Sequence, residues 1–102
     1  MHIKSKVYNN TLYVILCGEL DEYTAEHTRI KLDDIFAGGD FTQIIIDLSE
    51  LTFMDSTGIG ILIGRYKKMK CRSIPIFISN PSRQAEKIFK MTGLYEIMPK
   101  IV

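Results

Sequence analysis

The sequence predicts an α/β protein with a small, open, mostly parallel sheet of about five strands and three helices. Three observations predict it. Short apolar runs at residues 12–17, 44–48 and 76–78 have the length and β-branched content of buried strands. The segments between them place apolar residues at helical spacing. Strand and helix signals then alternate along the chain, and strand–helix–strand units close by right-handed crossovers into parallel pairs.

The first elements form a hairpin. Ile3, Ser5 and Val7 alternate with Lys4 and Lys6, and Asn9-Asn10 supplies a turn, because Asn tolerates left-handed backbone. Residues 12–17 are apolar throughout and belong inside the sheet. Gly18-Glu19-Leu20-Asp21 breaks this strand, with Asp21 placed to cap the next helix. On that helix Ala25, Thr28, Leu32 and Ile35 or Phe36 form the sheet-facing stripe, and Tyr23 and Ile30 fall off it. Gly38-Gly39-Asp40 ends it.

A strand at 44–48 and a loop through Met54 lead to a helix from Ser56 to about Lys70. Ile59, Leu62, Ile63, Tyr66 and Met69 make its core face. Pro75 opens the strand at 76–78, where a missing N–H is tolerated. Asn80-Pro81 reads as a helix start with Asn as the cap. Ala85, Ile88 and Phe89 form that helix's apolar face, and Gly93 is its C-terminal stop. A short extended piece at 95–98 completes the order.

Composition narrows the function. The 102 residues fit one domain spanning 1–102, and 46% hydrophobic residues suffice for a core. No stretch approaches the ~20 apolar residues that span a bilayer, and Met1-His2-Ile3-Lys4 lacks a signal-peptide core, so a cytoplasmic protein without a membrane partner is expected. A net charge of +1 gives little drive towards nucleic acid. Arg65, Lys67, Lys68, Lys70 and Arg72 are concentrated, but cations at a helix end complement its dipole, and no aromatic platform accompanies them. Cys17 and Cys71 read as reduced thiols, at least one in the core. His2 and His27 lack a ligand set with metal spacing.

Enzyme signatures are weak. Gly58, Gly60 and Gly64 do not match the dinucleotide spacing G-x-G-x-x-G, because position 63 is Ile. Gly60 and Gly64 read instead as a close approach of the helix to a neighbouring backbone. No phosphate loop is present, and Ser56 has no histidine base beside it in sequence. No cofactor, metal or catalytic residue is therefore assigned. Asp55-Ser56-Thr57-Gly58 remains, a carboxylate and two hydroxyls at a strand-to-helix junction. A serine there is either a helix cap or the carrier of a phosphate that the helix N-terminus favours.

The wider pattern bears on that choice. Gly18-Glu19-Leu20-Asp21, the stretch from Asp47 through Gly58, Asn80-Pro81 and Met91-Thr92-Gly93-Leu94 form an ordered set. The set resembles the STAS domain family, in particular its anti-sigma factor antagonists, and the segment through Gly64-Arg65-Tyr66-Lys67 is similar to its sporulation members. The resemblance covers nearly the whole chain. It implies that Ser56 is a phosphoacceptor, with Thr57 the neighbouring hydroxyl and Asp55 orienting the loop. It implies a partner-facing surface of Asp21, Glu22, Tyr23 and Thr24 with Asp55, Ser56, Thr57, Gly58, Ile59 and Gly60. The implied partners are an anti-sigma factor that is also a serine kinase, and a serine phosphatase. The unphosphorylated form would bind the anti-sigma factor and release the sigma factor, and phosphorylation of Ser56 would end that binding.

The alternatives are a STAS interaction module of another signalling scaffold and a small nucleotide- or ligand-binding flavodoxin-like domain. Two departures accompany the resemblance. Cys71-Arg72-Ser73 stands where the family often has a glycine pair, and the sequence reaches Val102 without the final helix usual in the family.

Overall fold

A computed structural model describes residues 1–101. The elements run β1 (His2–Tyr8), β2 (Thr11–Leu20), α1 (Ala25–Ala37), β3 (Gln43–Asp47), β4 (Leu51–Met54), α2 (Ser56–Lys70), β5 (Ile76–Ser79) and α3 (Arg83–Thr92), followed by a 3₁₀ turn at Leu94–Glu96. The result is a five-stranded mixed open sheet with three helices. β1 and β2 are antiparallel, and every other strand pair is parallel. The order is β1-β2-β3-β5, with β4 paired to the far end of β2.

Local chemistry explains most of these elements. Asn9 and Asn10 both have positive φ, 49° and 63°, which bends the chain directly into the Tyr8–Thr11 pair. Gly93 ends α3 at φ 71°, a left-handed position that suits glycine. β2 is long enough to serve two partners: residues 11–15 pair with β3, and Gly18–Leu20 pair with β4, with a register shift between Gly18 and Glu19.

One core unites Leu12, Val14, Leu16, Ile44, Ile46, Ile76 and Ile78 of the sheet with Leu32 and Phe36 of α1, Leu62 and Met69 of α2, and Ala85 and Phe89 of α3. Tyr13, Ile45 and Phe77 lie side by side across β2, β3 and β5 on the opposite face, half-buried and outside that core. No helix among the described residues is long and apolar enough to cross a membrane.

Several sequence expectations change. Residues 51–54, read as loop, form β4, because Gly18–Leu20 offer them a free edge. In place of the extended piece expected at 95–98 there is the 3₁₀ turn at Leu94–Glu96, and Lys100 beyond it forms a parallel bridge to Ile78. Asn80 does not cap α3. It sits at φ 53° in a turn, and Ser82 caps the helix by accepting the Ala85 N–H at 3.1 Å. On α2 the buried set is Gly58, Ile59, Leu62, Arg65 and Met69, while Ile63 and Tyr66 are only half-buried.

Arg65 takes a core position because Asp33 of α1 meets it. Its Nε lies 2.8 Å from Asp33 Oδ1, a close charge contact rather than an aligned hydrogen bond, and Nη1 has no partner among the described residues. Burial pushes the Arg65 pKa down, and Asp33 opposes that shift. Lys68 at 3.0 Å and Arg29 at 3.8 Å also approach Asp33 from the solvent side. Neither thiol is in the core: Cys17 is half-buried and Cys71 exposed, and both are free. The Cys17 pKa is raised, first by desolvation and then by Glu50.

Candidate functional site

The end of β4 carries the site. Gly18 donates its N–H to Glu50 O at 3.0 Å, and Asp55 donates its N–H to Leu20 O at 3.3 Å. Thr52 Oγ1 adds a bond to Gly18 O at 3.1 Å. These bonds hold the turn after β2 beside the β4–α2 junction. Leu20 pairs with Met54, and both side chains are fully buried.

The turn at residues 21–24 is organised by its own side chains. Asp21 Oδ1 accepts the N–H groups of Tyr23 at 2.9 Å and Thr24 at 3.1 Å. Thr24 Oγ1 donates to Glu19 O at 2.9 Å. Asp21 therefore shapes the turn rather than capping α1, whose N-cap position is Thr24 without a side-chain cap. Glu22 is exposed, and Tyr23 is 87% exposed.

At the junction Asp55 is the N-cap of α2, its Oδ1 accepting the Thr57 N–H at 2.9 Å. Gly58 donates its N–H to Asp55 O at 3.0 Å. Ser56 is the first residue of the helix and is exposed, with Asp55 and Thr57 half-buried beside it. Of the two roles open to Ser56, the capping role belongs to Asp55. Ser56 is left as an exposed residue next to Asp55, at the positive end of a 15-residue helix.

The glycines behave differently from the sequence expectation. A Cβ at Gly60 or Gly64 would meet nothing within 4 Å, so neither serves a close helix approach. Gly58 does: a Cβ there would lie 2.5 Å from Met54 Cγ and 3.0 Å from Leu20 Cγ. Ile59 is buried in the core, which removes it from the exposed surface expected of it, while Gly60 is exposed. The predicted set is thus gathered at one end of the sheet, with Asp21–Thr24 and Asp55–Thr57 facing solvent wholly or in part and Gly58 and Ile59 beneath them.

One residue was missed. Gln84 of α3 places its side-chain amide against the free edge of β4, where Oε1 accepts the Met54 N–H at 3.1 Å and Nε2 donates to Met54 O at 2.5 Å. A glutamine in the first turn of a helix carries no sequence signal for this role. Among the described residues no group of His, Cys, Asp and Glu could hold a metal ion.

The fold is a five-stranded mixed sheet with three helices, and it sets an exposed serine on an aspartate-capped helix beside a tight turn. The STAS domain profile matches residues 2–102, and the chain belongs to the STAS domain family. It is 30% identical over 99 residues to the anti-sigma F factor antagonist of Paenibacillus polymyxa, covering 97% of this chain and 85% of that protein. It is 31% identical over 98 residues to the anti-sigma-B factor antagonist of Bacillus subtilis (strain 168), covering 96% and 88%. Among solved structures, the anti-sigma factor antagonist SpoIIAA in its unphosphorylated form superposes with a TM-score of 0.81 at 29% identity, covering 99% of this chain and 89% of that one. The phosphorylated form of the Bacillus cell-fate determinant SpoIIAA gives 0.73 at 30% identity, covering 99% and 92%.

Proposed function

We propose that this chain is an anti-sigma factor antagonist, a cytoplasmic binding protein rather than an enzyme, switched by phosphorylation of Ser56. The observation that carries the reading is the exposed Ser56 hydroxyl beside the Asp55 cap and the Asp21–Thr24 turn. The antagonist names of the relatives support it.

In this reading the unmodified protein docks its Ser56 surface on an anti-sigma factor that is also a serine kinase, and the sigma factor is released. The kinase transfers the γ-phosphoryl group of ATP to Ser56 Oγ. The Oγ–P bond forms, the bond from the γ-phosphorus to the β-phosphate oxygen breaks to release ADP, and the hydroxyl proton passes to a base of the kinase. A serine phosphatase hydrolyses the ester and resets the switch.

The phosphate adds about −1.5 to −2 charges. The α2 macrodipole favours it, but Asp55 already occupies the Thr57 and Gly58 N–H groups. The dianion then lies beside a carboxylate and projects towards the partner. At the interface it meets acidic or poorly solvated groups of the partner, where juxtaposed like charges cost several kcal/mol, and a penalty of about 3 kcal/mol weakens binding roughly a hundredfold. No refolding is required.

Titration of Ser56→Ala and Ser56→Asp against the cognate anti-sigma factor tests the reading. Ser56→Ala keeps wild-type affinity and stays bound in the presence of ATP. Ser56→Asp loses affinity. Equal affinities would count decisively against a charge switch at this position.

A further inference from the structure

We propose that Gln84 is a positioning residue for the Ser56 switch, an inference that rests on the reading of Ser56 as a phosphoacceptor. β4 has four residues and pairs with β2 along one edge. Backbone groups alternate in direction along a strand. Asp55 N–H points at Leu20 O, so the N–H and C=O of Met54 point away from β2. Met54 is fully buried, and unpaired backbone groups there would lack both protein and water partners.

Gln84 supplies both partners, as a further strand would. A primary amide presents a donor and an acceptor side by side, as a peptide unit does. Glutamate keeps only the acceptor, and alanine keeps neither. Gln84 as a residue is exposed, so this pair of hydrogen bonds, rather than burial, ties it to β4. α3 is itself anchored by the Ser82 cap and by buried Ala85 and Phe89. Through Gln84 this rigid helix sets the backbone two residues before Ser56, and the Asp55 cap follows from that setting.

Loss of the clamp frees the outer edge of β4 and the junction beyond it. A kinase must then order the loop as it binds, which raises KM and leaves turnover of the bound complex nearly unchanged. The test uses Gln84→Ala and Gln84→Glu in the full chain. Three readouts apply: amide hydrogen exchange of the free protein, urea unfolding, and Ser56 phosphorylation by the cognate anti-sigma factor kinase with ATP and magnesium.

In Gln84→Ala, exchange at Met54 and Asp55 rises about tenfold or more, while the Ile44 and Ile46 amides of the core strand keep their protection. Gln84→Glu keeps the acceptor but sets a second oxygen against Met54 O, so its exchange at Met54 and its KM both lie between those of wild type and Gln84→Ala. Unchanged exchange at 54–55 in Gln84→Ala overturns the proposal, as does an unchanged KM once the loop is shown to be loosened. If wild-type Ser56 accepts no phosphate, the reading of the switch fails, and the exchange measurement still decides whether Gln84 holds the junction.

Discussion

Asp55 Oδ1 accepts the Thr57 N–H at 2.9 Å, so the cap of α2 is the neighbour of Ser56 and not Ser56 itself. This division of labour lets the serine change its chemistry without undoing the helix. Removal of a capping side chain costs about 1 kcal/mol. Asp55→Ala is therefore expected to lower stability by about that amount, and Ser56→Ala by less than about 0.5 kcal/mol, as for an ordinary surface change. Urea denaturation of both variants measures the difference. A larger loss in Ser56→Ala would reverse the assignment of the cap.

The three glycines of α2 should respond in opposite senses. Gly58→Ala drives a methyl into Met54 and Leu20 and is expected to cost about 1–3 kcal/mol. Gly60→Ala and Gly64→Ala meet open space and remove backbone freedom from the unfolded chain, so each should stabilise by about 0.5–1 kcal/mol. Thermal midpoints of the three variants separate these cases, and a stabilised Gly58→Ala would show that the Leu20–Met54 contact is looser than described.

Breaking the Asp33–Arg65 contact should be asymmetric. Asp33→Ala strands a guanidinium on a residue 5% exposed, whereas Arg65→Met removes the charge and keeps an apolar stem. The Asp33 side chain is 24% exposed, which moderates the loss, so about 2 kcal/mol is expected for Asp33→Ala and less for Arg65→Met. A double-mutant cycle in urea gives the coupling. Equal losses for the two single variants would mean that water already reaches the guanidinium.

Tyr95 predicts an alkaline limb. Burial, then the Glu86 carboxylate, pushes its phenol up to about 12, and its ring meets Phe89 edge-on at 5.4 Å. The folded chain thus holds the phenolic proton where the unfolded chain, titrating near 10, has lost it. Stability from this source is complete below pH ~10 and is lost as pH rises towards about 12. Tyr95→Phe should flatten that part of the stability–pH profile relative to wild type. Identical slopes between pH ~10 and ~12 would refute the assignment.

Elements whose causes are local could be read from the order of the residues. The bounds of α2 were readable because a hydroxyl-bearing strand-to-helix junction and a long apolar periodicity lie within one segment, although the cap proved to be Asp55. The first hairpin was readable because Asn9-Asn10 tolerates positive φ, and the end of α3 because Gly93 does. Ser56 stood out for the same reason, since a hydroxyl at a helix start is a local feature.

Tertiary structure alone decided the rest. Leu51-Thr52-Phe53-Met54 is a strand only because Gly18–Leu20 lie beside it. Arg65 is buried only because Asp33 arrives from another helix. Gly58, Gly60 and Gly64 look alike in sequence, and what faces each one distinguishes them. Gln84 reaches Met54 across 30 positions of chain. Propensity and periodicity act within a few residues, whereas edge pairing, charge burial and close approach depend on which distant surfaces the packed core brings together.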